Sequence, residues 1–151
     1  MIIEPVHWHP ILVHFSFALL FLAPFFIFAN VIGSDKPWSD TILVTGRMML
    51  WTGVIIAAFT IGAGFVAMWN VTVSEDIHHH IHNHRNWALG TAALYTVLAF
   101  WSLLNWKRQV RDGWLLTLLL FIGVGGLTMT GYKGGELVYH HGVSINQSVL
   151  Q

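Results

Sequence analysis

This sequence contains no cysteine and few charged residues. Its 151 residues include no cysteine, which excludes disulfides, thiolate-bound zinc, iron–sulfur clusters and covalent attachment of c-type haem. Only 9% of the residues are charged and the formal net charge is zero, so no basic surface favours nucleic acid as a partner. In contrast, 55% of the residues are hydrophobic and the mean hydropathy is +0.62. This composition indicates an integral membrane protein whose main partner is the lipid bilayer.

Four stretches are apolar over the roughly 20 residues that a helix needs to cross a bilayer core. The stretches 11–32, 48–69, 87–106 and 114–132 contain no Asp, Glu, Lys or Arg. Lipid offers the backbone no hydrogen-bond partner, so each stretch must be helical, and the short connections favour an up-down arrangement. We therefore predict an all-α membrane protein with one domain, 1–151: a four-helix transmembrane bundle with helices at about 10–32, 47–69, 80–106 and 114–132, and a C-terminal tail, 133–151.

Basic residues in the short connections predict the orientation. One side of the predicted bundle carries Lys36, Arg47, Lys107, Arg108 and Arg111, whereas the other carries Arg85 and Lys133. The positive-inside rule then places both termini and the central loop outside, which is the periplasm for a protein of the bacterial cytoplasmic (inner) membrane.

Histidine is concentrated in three segments that an up-down bundle brings to the same membrane face. The ten histidines lie at 7–14, 78–84 and 140–141. His14 is the one readily ionised side chain within the four apolar stretches, and a group of this kind inside a membrane is by default functional. The glycine-containing tail is apolar enough that we expect it to pack back over the histidines.

Two imidazoles that face each other across a bundle suit axial ligation of b-type haem, which needs no cysteine. The first and third helices run parallel, so His14 and His84 can reach the same depth from opposite sides. The sequence thus predicts a haem b electron-transfer protein, or a subunit of a membrane redox complex, with the haem near the periplasmic face. We assign His14 and His84 as the axial ligands, His9 and His80 as alternates, Arg85 as a partner of the haem propionates and Trp87 as a ring contact.

Two alternatives use the same histidines differently. A zinc or copper site would take His9, His80, His84 and His140 together with Glu136. An accessory subunit of a membrane complex would use the histidines only as interfacial polar groups. No catalytic pair is recognisable, so we expect no independent enzymatic activity, although membership of an oxidoreductase complex stays open. For a redox role, the expected partners are membrane or periplasmic redox subunits, and a quinone is a further candidate.

Three motifs carry a resemblance to a known family. They are HPILVHF at 9–15, the pair His84 and Arg85 at the start of the third apolar stretch, and GGELVYHHGVSI at 134–145. Together they resemble the small bacterial membrane proteins grouped as domain of unknown function 2231, and the resemblance covers essentially the whole chain. The family usually has proline at or beside Ser16 and a glycine near Ser144, so this chain departs from its pattern at two points. The resemblance implies a four-helix membrane fold and implies no chemistry.

Overall fold

The structure, a computed structural model, describes residues 8–70 and 75–143. Within these ranges it contains four helices: α1 (Trp8–Ile32), α2 (Ser39–Asn70), α3 (Glu75–Lys107) and α4 (Trp114–Tyr139). Each is long and apolar enough to cross a membrane. The prediction of an all-α four-helix membrane bundle is confirmed.

The helices pack as a closed ring in chain order. Each helix contacts the next, and α4 closes against α1, so α1 and α3 lie on one diagonal of the bundle and α2 and α4 on the other. The contact between α1 and α2 is the most extensive. It includes Gly53, where a Cβ atom would lie 2.7 Å from the Leu20 side chain. Side chains at mid-depth complete the core, with Leu50, Tyr95 and Leu120 wholly buried.

Three helix ends lie beyond the positions that the sequence predicts. Helix α2 begins at Ser39 instead of residue 47, α3 begins at Glu75 instead of about 80, and α4 ends at Tyr139 instead of 132. The prediction marked where an apolar stretch ends, but a helix continues into the interface as long as its backbone hydrogen bonds can form. The first part of the predicted tail is therefore helical. Residues 144–151, its last part, lie outside the described residues.

A buried ion pair fixes the end of the bundle where the α1–α2 and α3–α4 loops lie. Arg47 Nε donates to Asp112 Oδ2 at 2.8 Å, and these two side chains are only 6% and 0% exposed. Asp112 also accepts hydrogen bonds from Ser102 Oγ and Asn105 Nδ2, each at 2.8 Å. Arg47 Nη2 donates to the Val110 carbonyl at 2.8 Å. The loop between α3 and α4 is thus tied to α2 by a network in which both carboxylate oxygens have partners.

Replacing Asp112 with alanine leaves the Arg47 guanidinium buried without its counter-ion. We expect this variant to lose about 3–5 kcal/mol of unfolding free energy, measured by unfolding in mixed detergent and dodecyl sulfate micelles with tryptophan fluorescence as the signal. The double variant Arg47→Met/Asp112→Leu should lose less, because it removes both charges.

The exposed ion pair between Arg111 and Asp40 provides the control, since the Asp40 side chain is 90% exposed. Asp40→Ala should lower the free energy of unfolding by no more than about 1 kcal/mol. Equal losses for Asp112→Ala and Asp40→Ala would show that the buried network does not stabilise the fold.

Candidate metal centre

The start of α1, the start of α3 and the end of α4 meet at one end of the bundle. We call this region, residues 8–14, 75–84 and 133–143, the histidine end. The imidazole of His9 faces that of His84, and the imidazole of His80 faces that of His141. The three histidine segments therefore converge as the sequence predicts. His7 lies outside the described residues.

Three side chains at this end form a compact group of metal-ligand type, which we call the outer cluster: His80 of α3, Glu136 of α4 and His141 just after α4. Their ligand atoms all lie within 4.8 Å of one another. The rings of His80 and His141 have their centroids 4.3 Å apart, and all three residues are half-buried. Two imidazoles and one carboxylate are a donor set that zinc enzymes use.

The C-terminal end of α4 turns the chain so that His141 returns toward α3. The backbone N–H of His141 still donates to the Glu136 carbonyl at 3.3 Å, and that of Val143 donates to the Leu137 carbonyl at 3.0 Å. Between them Gly142 has φ +62°, a left-handed conformation that favours glycine and commonly ends helices. This local turn places the carboxylate and the second imidazole side by side.

A lysine already contacts the carboxylate of the outer cluster. Lys133 Nζ lies 3.0 Å from Glu136 Oε2, one turn away on α4, and the two side chains are 23% and 24% exposed. The carboxylate is thus ionised and already paired with a positive charge. Any metal ion that binds Glu136 must compete with this ammonium group.

Deeper in the bundle, His9 and His84 form what we call the inner pair. Their ring centroids lie 6.4 Å apart with an interplanar angle of 83°. His9 Nδ1 is 2.9 Å from the Thr60 carbonyl oxygen, and His84 Nδ1 is 3.1 Å from the Thr130 carbonyl oxygen. A carbonyl can only accept a hydrogen bond, so each Nδ1 carries the proton and donates it. In the neutral form of each ring, Nε2 then keeps its lone pair.

Glycines on the other two helices make room for the inner pair. A Cβ atom at Gly64 of α2 would lie 3.0 Å from the His9 ring, and one at Gly134 of α4 would lie 3.1 Å from the His84 ring. All four helices therefore build this position: α1 and α3 supply the imidazoles, and α2 and α4 supply the carbonyls and the space.

Comparison with known families agrees with the motifs at the histidine end. The sequence profile of a family described as predicted membrane protein, domain of unknown function 2231 (DUF2231), matches residues 5–147. The chain belongs to this family. No curated protein and no solved structure matches it. The family description states a membrane protein and names no chemistry, so the function of this DUF2231 protein must be argued from its site.

The structure does not bring His14 to His84. In this DUF2231 protein α1 already begins at Trp8, and five residues at 100° per residue turn His14 well away from the face that holds His9. His14 is exposed, with Nδ1 2.6 Å from the Pro10 carbonyl of its own helix. The alternate, His9, takes the place opposite His84, which is a correction to the predicted geometry of the pair.

The other predicted residues divide between the two groups and the surface. His80 and Glu136 belong to the outer cluster. Arg85 is half-buried and hydrogen-bonds the Asn86 side chain at 3.2 Å, Trp87 is 43% exposed, and His140 is exposed. Sequence reasoning chose His140 and missed His141, although the glycine at 142 was a signal that the chain turns immediately after His141.

Two neighbouring glycines of α2 allow a matched test of the packing at the inner pair. Both Gly64→Ala and Gly62→Ala gain helix propensity, but nothing lies within 4 Å of a Cβ atom at Gly62. We expect Gly64→Ala to be less stable than Gly62→Ala by about 1–3 kcal/mol, because its methyl group collides with the His9 ring. Micellar unfolding measures the difference, and equal stabilities would contradict the close packing of His9 on α2.

Proposed function

We propose that this DUF2231 protein binds a divalent transition metal ion, Zn²⁺ or Cu²⁺, through His80, Glu136 and His141. The observation that supports this most directly is the outer cluster itself, whose ligand atoms lie within 4.8 Å of one another. Ligands about 2.0–2.2 Å from a tetrahedral ion lie roughly 3–4 Å apart. Small side-chain rotations would therefore bring the three groups to an ion.

The composition of the outer cluster favours exchangeable binding. Three protein ligands leave a fourth tetrahedral position open to water or to another ligand, unlike the closed four-ligand sites that only stabilise a fold. Three further histidines near the cluster on α3, at 78, 79 and 82, are exposed and would attract the same ions weakly. This arrangement suits metal handling at a membrane surface. By the positive-inside rule, that surface is the periplasmic face of a bacterial inner membrane.

Haem b, and with it electron transfer through redox partners or a quinone, is the second candidate function. The observation in its favour is the inner pair, in which two imidazoles face each other across the diagonal of the bundle. One observation weighs against it: the space that Gly64 and Gly134 provide is already filled by the two imidazoles. The geometry therefore supports an ion better than a porphyrin.

Metal binding by the detergent-purified chain tests the proposal. We expect Zn²⁺, titrated calorimetrically, to bind with at least a tenfold lower affinity to His80→Ala, Glu136→Gln and His141→Ala than to the unaltered chain, because each loses one ligand. Binding should also weaken in acid, because protons compete with the metal ion for its ligand atoms.

His79→Ala and His14→Ala are the matched controls, since both remove an exposed imidazole, and both should bind Zn²⁺ like the unaltered chain. Equal affinity in all five variants would refute the outer cluster as the site. A Soret band in the same sample, with an α band after reduction by dithionite, would support haem instead. No metal and no haem would support an accessory role.

Lys133 provides a second test, because its ammonium group is paired with the proposed ligand Glu136. Lys133→Met removes the competing cation, so we expect Zn²⁺ to bind about two- to fivefold more tightly. Lys133→Arg keeps the charge and should not gain affinity. If Lys133→Met binds no more tightly than Lys133→Arg, the ion does not displace this ion pair.

A further inference from the structure

The inner pair lies directly behind the outer cluster. His80 and His84 are four residues apart on α3, so they share one face of the helix and are separated by about 6 Å along its axis. Gly134 of α4 packs against His84, and Glu136 lies two residues further along the same helix. The two groups therefore share α3, on which they lie one turn apart, and both lie against the end of α4.

The hydrogen bonds of the inner pair prepare both rings as ligands. In metal sites, a ligating histidine donates its second ring N–H to a carbonyl or carboxylate, which fixes the tautomer and the ring orientation. His9 and His84 both have this arrangement, toward the carbonyls of Thr60 and Thr130. Their Nε2 atoms are the nitrogens that remain available to a metal ion.

The separation of the two rings also fits a bridging ion. With centroids 6.4 Å apart, the two rings make no hydrogen bond to each other, and each Nδ1 is already engaged by a backbone carbonyl. An ion bound to both Nε2 atoms at about 2.0–2.1 Å would hold these nitrogens up to about 4 Å apart. This span is compatible with the observed ring separation.

Access to the inner pair comes from the side of the outer cluster. Further along α3 toward the middle of the bundle, Tyr95 is wholly buried and its hydroxyl donates to the Leu20 carbonyl at 3.1 Å. Leu20, Leu50 and Leu120 surround this point in the core. An ion that reaches His9 and His84 therefore enters from the histidine end.

We propose that His9 and His84 form a second, inner position for a transition metal ion, so that the histidine end holds two ions one helical turn apart. This inference rests on the proposed function, because the outer cluster holds the first of the two ions. The inner position offers two neutral nitrogen ligands and no carboxylate, and sites of this kind bind Cu²⁺ more tightly than Zn²⁺. Copper is thus the probe of choice.

The test uses the full-length chain in detergent with His78, His79 and His82 replaced by asparagine, so that these three imidazoles do not bind copper. We expect this chain, loaded with Cu²⁺ and passed through gel filtration, to keep two ions. Its electron paramagnetic resonance spectrum should show dipolar broadening, since the ions lie within about one helical turn, roughly 6 Å, of each other.

Substitutions at each position separate the two ions. His9→Asn and His84→Asn keep an amide N–H at the position of Nδ1 that can donate to the backbone carbonyl, and both remove the ligand nitrogen. Each should retain one copper ion with a narrow, mononuclear spectrum. The double variant His80→Asn/His141→Asn, which leaves the outer cluster no imidazole, should likewise retain one ion, held by the inner pair, and His14→Asn should retain two. Helical circular dichroism confirms that each variant is folded.

The possible results distinguish the two positions from each other. One ion in the parent chain, removed by His80→Asn/His141→Asn and retained in His9→Asn, overturns the inner position and leaves the proposed function intact. One ion removed only by the inner substitutions refutes the outer cluster and supports the inner pair. Loss of all copper in every variant except His14→Asn shows a single shared site and overturns the two-ion arrangement. A parent chain that binds no copper overturns both proposals.

Discussion

Close approach of the helices at glycine is the constraint on which the rest of this structure depends. Apolar helices in lipid gain little hydrophobic free energy by touching one another, because the lipid tails are equally apolar, so they associate through tight packing and a few polar contacts. In this bundle Gly53 lies against Leu20, Gly64 against His9 and Gly134 against His84. The last two contacts allow histidines on diagonally opposite helices to face each other. The candidate metal centre therefore depends on the same packing that holds the bundle together.

The two ends of the bundle use buried polar groups in opposite ways. At the loop end, Arg47 and Asp112 form an ion pair, and Ser102 and Asn105 donate two further hydrogen bonds to the carboxylate. Such a network stabilises the fold and leaves little capacity for a ligand. At the histidine end, each imidazole of the inner pair uses one nitrogen in a backbone hydrogen bond and keeps the other for a further partner. These second ring nitrogens, in a partly buried place, are the physical reason why we propose metal binding at the histidine end.

Sequence reasoning succeeded where the chemistry of a single helix decides the outcome and failed where neighbouring helices decide it. Apolar length predicted four membrane helices, and topology predicted that the histidine segments meet. The choice of His14 over His9 was wrong as a geometric prediction, because it depended on which face of α1 looks into the bundle. Packing against Gly64 decides that face. The early end predicted for α4 had a related cause. In the sequence alone, Gly134 and Gly135 suggest that the helix ends before them. In the structure Gly134 remains helical and packs against His84.

The sequence by itself determined that this protein is a bundle of four membrane helices with its histidines at one end, because a bilayer accepts an uninterrupted apolar stretch only as a helix. It also carried the motifs of its family. Only the tertiary structure decided which imidazoles face one another, that His141 joins His80 and Glu136, and that Lys133 already pairs with the carboxylate. These relations join residues from different helices. They depend on rotations of tens of degrees and shifts of a few ångströms, and no periodicity along a single segment specifies them.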